Sequence, residues 1–133
     1  MKEPIWIGKS FTLAIHEEML AGFGGSAGVR DVGLLESALG KPRNLFAYGK
    51  PTLVDLAASY AFGVVRNHPF IDGNKRTGFM VAYTFLARNG IEFTASEADA
   101  AAAVLAIAAG QMKEAELSSW LAANTRKTKS SRG

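Results

Sequence analysis

The stretch from Leu53 to about Asn67, LVDLAASYAFGVVRN, places Leu56, Tyr60, Gly63 and Val64 at spacings of three and four, the repeat of one α-helical face. Most of its other residues are apolar too, so a helix here has little surface suited to water and belongs at the centre of the fold. Thr52 is placed to cap its start. Its end is set by Pro69, whose ring disfavours the α region for His68, so the chain is expected to turn extended there. A central helix needs neighbours, and the flanking sequence supplies them.

Residues 12–22, TLAIHEEMLAG, read as a first helix, with Leu13, Met19 and Leu20 near one side and a closing glycine. GFGGSAG, 22–28, reads as a flexible connector. It is a poor match to a phosphate-binding glycine loop, because a helix precedes it and no GxxxxGK[ST] pattern is present. Asp31 can cap VGLLESALGK, in which Leu34, Leu35, Ala38 and Leu39 form an apolar stripe that Gly40 and Pro42 end. RNLFAYGKP, 43–51, has aromatic residues and turn formers without helical period, which predicts an exposed, mobile loop or small hairpin. A fourth helix begins near Gly73 and runs to Gly90. IEFTAS is a short connector; Ser96 or Thr94 can cap EADAAAAVLAIAAG, and Leu117, Trp120 and Leu121 share one face of KEAELSSWLAAN. Trp6 and Trp120 are expected in the core or at its edge. The sum is an all-α orthogonal bundle of about six helices with a small flap loop or hairpin and no convincing sheet.

Composition agrees with one compact domain over residues 1–123: the chain has 133 residues, 48% hydrophobic and 20% charged. It has no cysteine, which removes disulfides and thiolate metal sites and fits a reducing cytoplasm. No signal core is legible at the start, and the longest apolar run, Ala100 to Ala109, is ten residues, against about 20 needed to span a bilayer. The net charge of +3 belongs to the tail, because Arg126, Lys127, Lys129 and Arg132 leave residues 1–123 at −1 when set aside. Residues 124–133, NTRKTKSSRG, carry no apolar side chain and are expected to be disordered. A solvated terminus is the favoured reading, with a weak nucleic-acid contact as the lesser one.

The chemistry concentrates in HPFIDGNKRTG, 68–78, a joint in which a loop feeds straight into a helix start. Such a start offers unpaired amides and a partial positive charge, which together suit phosphate. Gly73 allows close approach, Asn74 can add a donor, and Lys75 and Arg76 supply cations, Arg76 in a bidentate-capable form. Asp72 beside phosphate reads as a magnesium ligand. A histidine such as His68 can take a proton from a hydroxyl nucleophile. Phe70 is expected to pin the loop into the core. A capped helix-to-helix turn with a solvated first turn is the plainer alternative. Against it, cations in a first turn oppose the helix dipole unless an anion compensates them. His16, beside Glu17 within the first helix, reads as structural or surface rather than as a second catalytic group.

The stretch from His68 to Arg76 resembles the HPFx[DE]GNxR signature of the Fic superfamily, and GVRDVGLLESALGKP, 28–42, looks like the upstream region of its death-on-curing (Doc) toxins. The resemblance covers most of residues 8–122. It implies a Fic-type helical core, ATP and Mg2+ as cofactors, and transfer of part of the nucleotide to a protein hydroxyl. It further implies His68 as general base, Asp72 as metal ligand, and Gly73, Asn74, Lys75 and Arg76 as the phosphate cradle, with Pro69 and Phe70 anchoring the motif. Leu45, Phe46, Ala47 and Tyr48 match in position the flap that holds the target segment. AMP-transferring members usually have glycine where this chain has Lys75. The Doc-like NKR implies an inverted nucleotide and phosphorylation of Ser or Thr, with elongation factor Tu as the family's target; AMP transfer and an inactive antitoxin-bound regulator are the alternatives. No glutamate has Ser or Thr four positions before it, so the inhibitory [ST]xxxE[GN] helix of self-restrained members is missing. Restraint is then expected from a cognate antitoxin whose disordered segment folds as a helix into an apolar groove, with DNA contacted only through that partner.

Overall fold

The computed structural model describes residues 2–128. In chain order it contains α1 (Lys9–Phe23), α2 (Val32–Tyr48), α3 (Leu53–Asn67), α4 (Asn74–Arg88), β1 (Ile91–Phe93), α5 (Glu97–Ala108), α6 (Glu114–Ala123) and β2 (Thr125–Lys127). The expected helix at 53–67 lies at the centre, packed against α2, α4, α5 and α6. Leu56, Ala57, Ala58, Tyr60 and Val64 are fully buried along it. Its start is a reciprocal capping box: the Asp55 amide donates to Thr52 Oγ1 and the Thr52 amide to Asp55 Oδ2. The N-terminal segment is tied over this centre, with Ile7 paired to the Tyr60 hydroxyl and Ile5 to the Asn89 side-chain amide.

Alongside α3 runs α4, and Gly78 sets how closely. A Cβ there would lie 2.8 Å from Val65 Cγ2 and 3.2 Å from the Ala61 carbonyl oxygen, so only glycine lets the two backbones meet one turn after the joint that links them. No helix of the described residues is long and apolar enough to cross a membrane.

Four expectations need correction. Pro42 does not end the second helix: α2 continues to Tyr48, and the expected flap loop or hairpin at 43–51 is mostly helical. A proline inside a helix costs about 3 kcal/mol through its lost hydrogen bond and ring clash. Here that is offset by tertiary packing beyond it, since Pro42 is buried, Phe46 meets Trp6 edge-on at 5.6 Å, and the Arg43 guanidinium lies 5.2 Å from the Trp6 ring. The tail does not become irregular at 124, because Thr125–Lys127 form β2; Lys129 and Arg132 lie outside the described residues. The connector IEFTAS begins with β1, which pairs antiparallel with β2 in the register Ile91↔Lys127, Glu92↔Arg126 and Phe93↔Thr125. Phe93 anchors this small ladder by packing on Phe79 and Trp120. Finally, His68 is not extended but left-handed, at φ 52 and ψ 54.

Candidate active site

The joint between α3 and α4 is held from several directions. The His68 amide donates to the Val64 carbonyl and closes α3, and His68 is the one non-glycine residue with positive φ among the described residues. That conformation costs roughly 1–2 kcal/mol for an L-residue, so its surroundings must hold it in place. Phe70, 0% exposed, is the expected anchor. The His16 ring stacks on it at 3.8 Å with planes 9° apart, and His16 Nε2 lies 2.8 Å from the Asp72 carbonyl oxygen. A carbonyl only accepts, so His16 carries its hydrogen on Nε2; its role is to hold the loop.

Asn74 departs from the role expected of it. Its Oδ1 accepts from the Phe70 amide and its Nδ2 donates to the Phe70 carbonyl, both at 2.9 Å, and the residue is 4% exposed. The side chain is a clamp that satisfies both backbone groups of a buried residue, which leaves its backbone amide rather than its carboxamide facing the helix start.

The second surprise is the glycine-rich connector, which runs along the joint as a strap. The Ser26 amide donates to Asp72 Oδ2 at 3.2 Å, the Ile71 amide to the Gly28 carbonyl at 3.1 Å, and Val29 and Phe70 form an antiparallel bridge. The amides of Arg30 and Asp31 both donate to the Pro69 carbonyl, at 2.7 and 3.0 Å. Arg30 then adds Nε to the His68 carbonyl at 2.8 Å and Nη2 to the Asn67 carbonyl at 3.0 Å. Gly25 allows the approach, since at φ 124 a Cβ would sit 2.8 Å from Asp72 Oδ2. Arg30 and Asn74 as a clamp are the site-building residues that local sequence pattern did not reveal, while His16 is structural, as expected.

His68, Asp72, Gly73, Lys75 and Arg76 open onto one cleft of about 900 Å³. Its far half is apolar, formed by residues of α4 and α5 that include Met80, Tyr83 and Leu105. Residues 45–48 do not reach this cleft: they form the last turn of α2, with Phe46 packed inward on the core and Tyr48 90% exposed.

Residues 6–86 match the model of the Fic/DOC family. The chain belongs to that family. It is 45% identical over 76 residues to Toxin Doc of Mycolicibacterium smegmatis, covering 55% of this chain and 58% of that protein. It is 36% identical over 81 residues to Protein kinase doc of Escherichia phage P1, covering 60% of this chain and 64% of that protein. The matches thus span less than two thirds of either relative.

In this Fic/DOC chain the start of α4 has the properties of an anion site. Gly73, left-handed at φ 79, is its N-cap and provides no side-chain cap, so the first amides of the helix are left for another acceptor. Lys75 and Arg76 are exposed beside them, with the Arg76 guanidinium 4.3 Å from the ring of Phe23, itself on the rim of the cleft. The Asp72 carboxyl is held below the usual carboxylate range by the Ser26 and Gly73 amides, with Arg76 and Lys75 adding to the effect. It is therefore a carboxylate at neutral pH. Among the described residues no group of three or more His, Cys, Asp or Glu could hold a metal by itself. An exposed, ionised Asp72 next to a helix start with uncapped amides is a donor of the kind a magnesium ion takes beside phosphate, so the residues present fit such an ion.

Proposed function

We propose that this chain transfers the γ-phosphate of ATP to a Ser or Thr hydroxyl of a protein, and that it acts as the toxin of a toxin–antitoxin pair in the cytoplasm. The observation that carries the reading is the meeting, in one cleft, of an exposed histidine, an ionised carboxylate and a helix start that bears two cations against its own dipole. The names of the two relatives, a toxin and a protein kinase, support the same class.

In this mechanism His68 takes the proton of the acceptor hydroxyl as its oxygen bonds to the γ-phosphorus. The bond from that phosphorus to the bridging oxygen breaks, and ADP leaves. The first amides of α4 and the Arg76 guanidinium offset the charge that grows on the transferred group, and Lys75 favours the orientation that presents the γ-phosphate. Magnesium, bound through Asp72, would supply further neutralisation of the phosphates. Elongation factor Tu is the expected target, and the expected restraint is an antitoxin segment folded as a helix on the apolar half of the cleft.

The test is incubation with lysate and ATP labelled separately at the α and γ positions. Label transferred from γ alone is the expected result; label from α would replace phosphorylation by AMP transfer. Unimpaired growth of cells making the protein alone at high level would overturn the toxin reading.

A further inference from the structure

Among the described residues, every hydrogen bond that Arg30 makes ends on the joint carrying His68. Its amide reaches Pro69, its Nε the His68 carbonyl and its Nη2 the Asn67 carbonyl, and it forms no ion pair among the described residues. The residue is exposed, so burial does not explain its place. We propose that Arg30 is a positioning residue for His68: it sets the direction of the imidazole relative to the helix start that would hold phosphate. This rests on the reading of His68 as the general base.

The argument turns on one torsion. Pro69 disfavours the right-handed helical region for His68, and such a residue is ordinarily extended, with ψ near roughly 120–160°. The observed ψ is 54. Rotation about this bond swings the histidine side chain, fixed to the end of α3, relative to Asp72 and Gly73, fixed to the start of α4. On one side of the bond the His68 amide is tied to Val64; on the other, the His68 and Pro69 carbonyls are tied to Arg30 through its side chain and its backbone. The guanidinium also satisfies carbonyls at the negative end of α3, where a cation is favoured and where two parallel donors match two successive acceptors. Lysine offers one charge and no fork, so it replaces this only in part.

The experiment compares the full chain with Arg30→Ala and Arg30→Lys. For Arg30→Ala, kcat for phosphate transfer is expected to fall by about 10- to 100-fold, the effect of a reacting group displaced by about an ångström, with the KM for ATP within about twofold of the parent. Arg30→Lys and added guanidinium should each restore part of the rate. A loss shared equally between kcat and KM, with neither recovery, overturns the proposal. A second readout does not depend on the reaction: in Arg30→Ala the NMR signals of the His68 ring should shift, and hydrogen exchange at the Ile71 amide should quicken, while the α6 amides stay as they were. Unchanged His68 signals would overturn the proposal even if activity fell. If the parent chain transfers no phosphate at all, the reaction proposed above fails, and the NMR comparison still judges Arg30.

Discussion

Two joints flank the central helix, and they are built in opposite ways. Between α2 and α3 the chain passes Tyr48 and Gly49 with little to hold it but the inward Phe46 and the capping box of Thr52 and Asp55. Between α3 and α4 the joint accepts bonds from His16, Asn74, Ser26 and Arg30, which come from three separate parts of the chain. Each joint has one carboxylate with both oxygens engaged. Asp55 accepts from the Thr52 amide and the Ser118 hydroxyl and serves a cap; Asp72 accepts from two amides and remains exposed on a cleft. The difference is between a turn held mainly by its own cap and one whose groups are fixed by bonds from three parts of the chain.

The largest expected effect is chemical and separates geometry from reactivity. His68→Ala should lower phosphate transfer by about 10²- to 10⁴-fold, the usual range for a lost general base. Tm should change little, because the side chain is exposed. An intact rate in a correctly folded His68→Ala protein would remove the base from the mechanism.

Next comes the clamp. Asn74→Ala leaves the amide and the carbonyl of buried Phe70 without partners, at about 1–3 kcal/mol for each group. Denaturant unfolding should show a loss of several kcal/mol, and activity should fall with it even under conditions where the protein is folded. A variant that kept its stability but lost nucleotide binding would instead return Asn74 to the phosphate-donor role expected from sequence.

Acid should act at both joints with the same sign. Burial raises the Asp55 carboxyl, but hydrogen bonds from Ser118 and Thr52 outweigh it and leave the group below its ordinary value, and Asp72 is lowered by its two amides. A group depressed in the folded state contributes stability above its unfolded pKa, about 3.9 for aspartate, and loses it as pH falls through the folded value. Stability attributable to these carboxylates should therefore be level from neutrality to about pH 5 and decline below about pH 4. Unfolding curves of Asp55→Asn and Asp72→Asn across that range should each lose part of the decline.

What was legible in the sequence follows the same division. The helices with a 3.6-residue apolar repeat, their caps at Asp31, Thr52 and Ser96, and the burial of Phe70 were all open to reading, because each depends on residues within a turn or two of one another. The strap was not, since Gly28, Val29 and Arg30 find their partners about 40 positions away, and those partners are backbone groups that leave no mark on composition. The β1–β2 ladder was hidden for the same reason, its strands being three residues long and joined only through tertiary pairing. The course of α2 through Pro42 shows packing on Trp6 overriding a local breaker.

The smallest expected effect tests the looser joint. Tyr48 is 90% exposed at the end of α2 and contributes little to the fold, so Tyr48→Ala should change stability by no more than about 0.5 kcal/mol. Residues 45–48 do not line the cleft, so the KM for ATP should also be unaltered. If this turn nonetheless holds the protein target, as its position in the family pattern implies, the KM for that target should rise several-fold while kcat at saturation stays near the parent value. A change confined to the protein substrate would give the exposed turn a recognition role and leave the chemistry to the rigid one; no change in any of the three would limit its part to linking two helices.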